Sequence, residues 1–303
     1  MQPTPTKCSW TCAATSWRLP DASTDLGGAL PAGLANLTDI VKIYSGRRCF
    51  VAERANGSFV AWGDATAGAT LPASLMAPPS TYAAFAARLQ NGTLIAWGNP
   101  GTGGSLPAQL AARRDIASLE AASEEAFCAL TNDGHVVVWG GSSAANVPPS
   151  VSQLDDIVEV SSNAYSFCAR RRGGHVVAWG ASNIGGTLPP EVARLSNIVQ
   201  VTGSTWAFAA LCSDGSVVAW GDKDRGGQIP SAVQAQLTQV RAIYANTVGF
   251  TALTADGRAV TWGEPSNGGN SASVQAVLNR ALRYGRPGSG HTVAPDNDLR
   301  ALA

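Results

Sequence analysis

Short apolar runs separated by turn residues recur along most of the chain. In a representative unit, the apolar run Phe208–Cys212 is followed by the turn dipeptide Asp214-Gly215 and then by a second run, Val217–Trp220. Such runs joined by Asp-Gly, Asn-Gly or Gly-Gly are typical of β-hairpins, and these dipeptides favour a two-residue turn with positive φ at both central residues. A β-rich run such as Ile198–Val201 precedes the hairpin. The pattern therefore predicts small antiparallel sheets joined by Gly- and Pro-rich loops.

A Trp-Gly pair ends each hairpin and recurs six times along the chain. A phenylalanine lies twelve residues before each of these tryptophans, and a glycine lies five residues before it. A period of about 40 residues indicates a repeat architecture, so the residues that occur in every unit are expected to form its core. The second unit is the short one and is expected to lack its first strand. The core candidates are Phe50, Phe85, Phe127, Phe167, Phe208, Phe250, Trp62, Trp97, Trp139, Trp179, Trp220 and Trp262.

The two ends of the chain complete the count of units. One further period after Trp262 ends at Ala303, with His291 at the phenylalanine position. Cys12–Trp17 is predicted to be a lone strand near the start. We therefore predict an all-β fold, a seven-bladed β-propeller whose ring is closed by its N- and C-terminal segments, because closure protects the sheet edges. Residues 1–8 are assigned to a tail and residues 9–303 to one domain, with repeats that end near the six tryptophans and Ala303.

The repeated motif resembles that of a known superfamily. In order along the chain it reads Phe/His-x-x-x-Leu, Asp-Gly, Val-x-x-Trp-Gly, Gly-Gly and Leu-Pro. It is similar to the regulator-of-chromosome-condensation repeats, especially the compact repeats of the propeller-type β-lactamase inhibitory protein. The resemblance implies a seven-bladed propeller and leaves the function open, because the superfamily includes GTPase exchange factors, signalling scaffolds and enzyme inhibitors. A function as a GTPase exchange factor is disfavoured. The histidine that is usual at the phenylalanine position of these repeats is replaced in six units, and no long inserted loop is present.

One position varies while the framework around it repeats. It lies two residues before each core phenylalanine, in turns that antiparallel topology places on the same face as the loops after Trp-Gly. A rigid framework with one variable position is typical of a binding face, and tryptophan, tyrosine and arginine are enriched in interface hot spots. The alternative is that some of these side chains only cover the rim of the central channel. The candidates for partner binding are Arg48, Glu125, Tyr165, Trp206 and Val248; Ala83 and Ser289 share the position.

Composition excludes several classes of partner. The chain of 303 residues has 21 basic and 21 acidic side chains and a net charge of +0, which argues against nucleic acid or an anionic membrane as the main partner. No apolar run is long enough for a membrane helix, so no direct membrane insertion is expected. The start of the sequence lacks the apolar core of a signal peptide, which favours an intracellular location, an organelle included.

Motifs for catalysis, metal binding and phosphate binding are missing from the sequence. The three histidines form no HxH or HExxH motif, and the glycine pairs lack the context of a phosphate-binding loop. The six cysteines form no CxxC pair, and free buried thiols are the simplest interpretation, with a Cys8–Cys12 bridge or metal site as a minor alternative. We expect neither a cofactor nor a metal, and no enzymatic activity.

The sequence thus predicts a non-enzymatic scaffold for protein–protein interaction that presents variable loops on one face of the propeller. A first alternative is a stoichiometric accessory subunit of a larger assembly, organellar or photosynthetic. A second is a lectin-like binder that stacks its ligand on Trp206 and Tyr165. A third, an enzyme inhibitor, follows only from the resemblance.

Overall fold

The computed structural model describes residues 32–35, 37–45, 49–56, 58–67, 81, 83–89, 91–141 and 143–272. Several predictions lie outside the described residues: the tail at 1–8, the closing strand Cys12–Trp17, the Cys8–Cys12 pair, Arg48 and the seventh unit with Ser289 and His291. The seven-blade count and the closure of the ring therefore stay predictions.

Within the described part of the chain, six antiparallel sheets follow one another, one for each Trp-Gly repeat. Five sheets have three strands in sequence order, and the second has two. The segment before those two strands, residues 68–80, is outside the described residues. The strands are β1 (Ile40–Ser45), β2 (Cys49–Arg54), β3 (Phe59–Gly63), β4 (Ala84–Arg88), β5 (Leu94–Gly98), β6 (Ile116–Ala122), β7 (Ala126–Thr131), β8 (Val136–Gly140), β9 (Ile157–Ser162), β10 (Ser166–Arg171), β11 (Val176–Gly180), β12 (Ile198–Gly203), β13 (Ala207–Cys212), β14 (Val217–Gly221), β15 (Val240–Ala245), β16 (Gly249–Thr254) and β17 (Ala259–Gly263).

The connections between sheets are short helical turns. A 3-10 turn follows each of the six Trp-Gly pairs, and in four of the linkers a one-turn helix comes next within the described residues. None of the helices in the described ranges is long and apolar enough to cross a bilayer. The helices are α1 (Ala32–Ala35), α2 (Ala108–Ala111), α3 (Pro149–Ser152), α4 (Pro190–Ala193) and α5 (Ser231–Gln234). The 3-10 turns are Ala65–Ala67, Pro100–Thr102, Ser143–Ala145, Ser182–Ile184, Lys223–Arg225 and Pro265–Asn267.

The hairpin turns differ from the predicted two-residue type. Cys212 N–H donates to the Ser216 carbonyl at 2.9 Å and Gly215 N–H donates to the Cys212 carbonyl at 2.9 Å, so the loop has three residues. Only Gly215 has positive φ, at +82°, whereas the predicted turn would need it at Asp214 as well. Instead, the Asp214 carboxylate accepts from Ser216 N–H at 2.9 Å. This is the three-residue hairpin, in which only the last loop residue is left-handed.

The repeated aromatic residues stack in pairs within each sheet. Phe208 lies directly opposite Trp220 on the neighbouring strand, and the ring centroids are 5.5 Å apart. The equivalent distance lies between 5.3 and 5.5 Å in all six sheets. Phe208 is completely buried and Trp220 is 2% exposed. Offset aromatic pairs at this separation are favourable beyond the burial of their area.

Four of the six sheets are joined to the preceding unit by the same hydrogen bond. Trp220 Nε1 donates to the Gly185 carbonyl of the preceding unit at 3.1 Å. Trp139, Trp179 and Trp262 make the same bond to the turn of the preceding unit, at 2.9 to 3.1 Å. These bonds satisfy the indole N–H inside the core, where an unpaired donor would be costly.

The first strands of consecutive sheets lie side by side. Ser161 Oγ donates to the Val201 carbonyl at 2.8 Å, and Gln200 Nε2 donates to the Ile243 carbonyl at 2.9 Å. These bonds run from β9 to β12 and from β12 to β15, so the first strands of these three sheets are the innermost ones. Sheets that succeed one another with their first strands inward are the blades of a β-propeller.

Candidate protein-interaction face

The variable residues lie in the turns between the first and second strands. The carbonyl of Trp206 accepts from Asp222 N–H at 3.0 Å, which ties this turn to the loop after Trp-Gly in the same sheet. The carbonyls of Glu125, Tyr165 and Val248 make the equivalent bonds at 2.9 to 3.0 Å. Both kinds of loop therefore lie at one end of each sheet. The hairpin turns lie at the other end, since Ile198 N–H at the start of β12 bonds to the Gly174 carbonyl of a hairpin turn at 3.0 Å.

Backbone hydrogen bonds link four of these turns in succession. Glu124 N–H donates to the Ala164 carbonyl at 2.8 Å, Ala164 N–H donates to the Thr205 carbonyl at 3.2 Å, and Thr205 N–H donates to the Thr247 carbonyl at 3.1 Å. Each of these four residues immediately precedes a variable residue. The variable side chains of Glu125, Tyr165, Trp206 and Val248 are thus mounted on one continuous hydrogen-bonded arc, which we call the display arc.

A polar side chain holds the backbone of each turn of the display arc. Ser204 Oγ accepts from Ala207 N–H at 3.1 Å. Asn246 Oδ1 accepts from Val248 N–H at 2.9 Å, while Asn246 Nδ2 donates to the Asn267 carbonyl at 2.8 Å. Ser and Asn close such turns by bonding to nearby backbone groups. The arc is therefore built to hold its shape without a partner.

Arg225 stacks on Trp206, a pairing that the sequence did not predict. The Arg225 guanidinium carbon lies 4.6 Å from the centroid of the Trp206 ring, and Arg225 Nη1 lies 3.0 Å from Asp222 Oδ2. Asp222 Oδ1 also caps the 3-10 turn by accepting from the N–H groups of Asp224 and Arg225 at 3.0 and 3.2 Å. The sequence signal was an aspartate before the 3-10 turn with an arginine three residues later, but only the fold brings both beside Trp206.

The candidate side chains differ in what they offer a partner. Glu125, Tyr165, Trp206 and Val248 are all half-buried, so each presents part of its side chain to solvent. Ala83, at the same position of the second sheet, is buried. The described part of the face thus combines a carboxylate, two aromatic rings and an aliphatic side chain. Arg48 lies outside the described residues.

The hairpin end is charged but largely self-paired. Arg170 Nε lies 2.8 Å from Glu159 Oε2, and Arg171 Nε lies 2.8 Å from Asp156 Oδ1. The hydrogen bond from Arg171 lowers the pKa of Asp156. Two of the three arginines in the run at 170–172 are therefore paired within the chain.

Carboxylates at the hairpin turns bind local donors. The Thr254 hydroxyl and then the Arg258 guanidinium lower the pKa of Asp256 to about 2, and Arg258 Nε lies 2.7 Å from Asp256 Oδ2. The pKa of Asp133 is lowered by the Thr131 hydroxyl and by His135, whose Nδ1 lies 3.2 Å from Asp133 Oδ1. These carboxylates remain ionised well below neutral pH and support the turns.

The cysteine thiols that the structure describes are buried. Cys128 and Cys168 are inaccessible to solvent, and burial raises the pKa of both thiols. Protonated, enclosed thiols are poor nucleophiles. No group of three or more His, Cys, Asp or Glu side chains is placed to hold a metal ion in the part of the chain that the structure describes.

Comparison with known proteins identifies the fold. The sequence matches no family model and no curated protein. The chain is similar to yeast RCC1 (Prp20) in its crystal structure with Kap60, at 15% identity and a TM-score of 0.50, over 74% of this chain and 70% of that chain. It is similar to human WBSCR16 at 14% identity and a TM-score of 0.50, over 74% of this chain and 76% of that chain. The chain has a β-propeller fold similar to that of RCC1, and the repeats predicted a β-propeller.

Proposed function

We propose that this propeller is a non-enzymatic scaffold that binds another protein through the display arc. The observation that carries the proposal is the chain of backbone hydrogen bonds from Glu124 through Ala164 and Thr205 to Thr247. It holds variable side chains in fixed positions, so little conformational freedom is lost when a partner binds. A rigid scaffold with variable display is the arrangement that protein-binding loops use.

Trp206 is the proposed anchor of the interface. Its ring is half-buried and carries Arg225 against it, so a partner meets an aromatic surface and a cation in one place. Tryptophan and arginine dominate hot spots because they bury large areas and form directed bonds. The same stacking disfavours a lectin-like site, because the guanidinium already covers part of the ring on which a sugar would stack.

Binding to another protein is also observed for a similar propeller. Yeast RCC1 (Prp20) was crystallised bound to Kap60. An accessory subunit that stays bound to its assembly would use the same arc, with the partner held permanently. The proposed compartment is intracellular, which suits the free buried thiols of Cys128, Cys168 and Cys212.

The proposal is tested by affinity purification from the native source with tagged wild-type protein and three variants. Trp206→Ala and Tyr165→Ala alter the arc, whereas His175→Ala alters an exposed residue at the hairpin end. We expect the two arc variants to lose the same protein that wild type and His175→Ala retain at fixed stoichiometry. Retention of every partner by both arc variants would refute the proposal.

A further inference from the structure

The outermost strand of the fifth sheet, β14, borders an open cavity. The cavity has a volume of about 480 Å³ and is lined on one side by all five residues of β14, Val217–Gly221. A cavity on the face of a sheet would meet alternate residues, because successive side chains point to opposite faces. Contact with five consecutive residues means that this cavity runs along the edge of the strand.

The backbone of β14 turns unpaired groups toward this cavity. The bonds from Cys212 N–H to the Ser216 carbonyl and from Asp222 N–H to the Trp206 carbonyl lie at the two ends of the β13–β14 pair. Because hydrogen-bonded pairs alternate in an antiparallel ladder, the even-numbered residues of β14 bond to β13 and the odd-numbered ones face outward. Gln234 Nε2 accordingly reaches the Val217 carbonyl at 3.2 Å from the other side.

The linker beside this edge leaves most of it open. Gly227 and Ile229 line the cavity, yet no backbone hydrogen bond joins residues 227–230 to β14 among the described residues. The outward groups of Ala219 and Gly221 are likewise without a partner in that part of the chain. A row of free N–H and C=O groups is a template for a further strand.

We propose that this groove binds an extended segment of a partner protein, which adds to β14 as a fourth strand. The strand is five residues long, so the segment it pairs with is about 17 Å long. This site lies on the outer edge of the propeller and is separate from the display arc.

The charges at the groove specify the segment further. Glu191 on α4 and Lys223 after β14 both line the cavity, and neither is paired with another described residue. Lys223 follows the end of β14 at Gly221, so an acidic residue of the segment is placed there, and a basic residue is placed beside Glu191. The segment is therefore extended and carries both an acidic and a basic residue.

The neighbouring sheet supplies a matched control. Its outermost strand, β11, has the same sequence as β14, Val-Val-Ala-Trp-Gly. The positions that correspond to Glu191 and Lys223 in the preceding repeat are Ser150 and Ser182. The two edges thus share a backbone and differ in the charges beside it.

The test begins with selection of phage-displayed random twelve-residue peptides on the purified full chain. Binding of the selected peptides is then measured by fluorescence polarisation on wild type, Ala219→Pro and Ala178→Pro. Proline at 219 removes an outward N–H and no ladder bond, so the fold is kept while pairing is blocked. We expect the selected peptides to carry both an acidic and a basic residue. They should bind Ala219→Pro at least tenfold more weakly than wild type, and Ala178→Pro as tightly as wild type.

A second pair of variants keeps the test decisive if proline disturbs folding. Gln228 is exposed and lines the groove, and Thr187 is its exposed equivalent one period earlier. Gln228→Trp fills the groove and is expected to weaken peptide binding at least tenfold, whereas Thr187→Trp leaves it unchanged. Trp206→Ala is also expected to leave it unchanged, which separates this site from the display arc. The proposal is overturned if no selected peptide discriminates between the members of each pair.

Discussion

Gly185 and Phe208 are in contact across the boundary between two blades: a β-carbon built on Gly185 would lie 2.8 Å from Phe208 Cδ2. Gly185 also has φ of +107°, a conformation that side chains other than glycine rarely adopt. Its carbonyl accepts the indole N–H of Trp220. Gly185 therefore contacts both members of the stacked pair in the next blade: its α-carbon lies against Phe208 and its carbonyl binds Trp220. These two contacts fix how consecutive blades pack.

Gly185→Ala is expected to destabilise the protein. The added methyl group meets a buried ring and occupies strained backbone, so we expect a loss of about 3 kcal/mol in the free energy of unfolding. Urea denaturation monitored by circular dichroism measures it. Gly173→Ala is the control, because its β-carbon would approach nothing closer than 3.7 Å and its φ is not positive. Equal stability of the two variants would contradict this role for Gly185.

Trp220→Phe tests the hydrogen bond between blades. Phenylalanine preserves most of the stacking with Phe208 but leaves the buried Gly185 carbonyl without its donor. We expect a loss of about 2 kcal/mol in unfolding free energy, which is the usual cost of an unsatisfied buried acceptor plus a small cavity. The midpoint in urea reports it, and a change within experimental error would show that the bond contributes nothing net.

Arg225→Ala tests the stack on Trp206. An exposed cation–π pair contributes about 0.5–1 kcal/mol, so stability should change little. The indole ring should nevertheless become more accessible, and acrylamide quenching of its fluorescence should increase. Trp206→Phe measured in parallel isolates the signal of this tryptophan from the others. Unchanged quenching would mean that Arg225 does not cover the ring in solution.

Acid should destabilise the hairpin turns. The folded-state pKa of Asp256 is about 2, below the value of about 3.9 for an unfolded chain. A depressed folded pKa stabilises the protein at pH above the unfolded value, and this contribution is lost as the pH falls from about 4 to 2. We therefore expect Asp256→Asn to lose less stability than wild type between pH 5 and pH 2.5, measured by urea denaturation at each pH. An equal loss of stability by wild type and Asp256→Asn over this range would contradict the role assigned to Asp256.

Much of the fold followed from the period of the sequence. Six phenylalanines and six tryptophans at one offset predicted the aromatic core of the sheets. That Phe208 lies directly opposite Trp220 was not predicted, because this register requires the three-residue hairpin loop. The turn type was predicted wrongly, because Asp-Gly occupies the last two positions of a three-residue loop as readily as the centre of a two-residue one. Local sequence does not distinguish these two registers.

The contacts that the candidate site residues make within the chain were less predictable than the fold. Trp206 and Arg225 are separated in sequence by two whole strands, β13 and β14, and their stacking depends on how the 3-10 turn folds back over the turn before β13. The groove beside β14 depends on where two linkers pass, which no repeat pattern specifies. The variable position itself could be found, because it changes inside a constant frame.

Hydrogen–deuterium exchange of the propeller, with and without the purified partner, tests the display arc most directly. We expect the partner to slow exchange of the backbone amides in the turns at 123–125, 163–165, 204–206 and 246–248, while the hairpin turns near Gly174 and Gly215 exchange at unchanged rates. Protection confined to the hairpin turns, with the four arc turns unaffected, would contradict it.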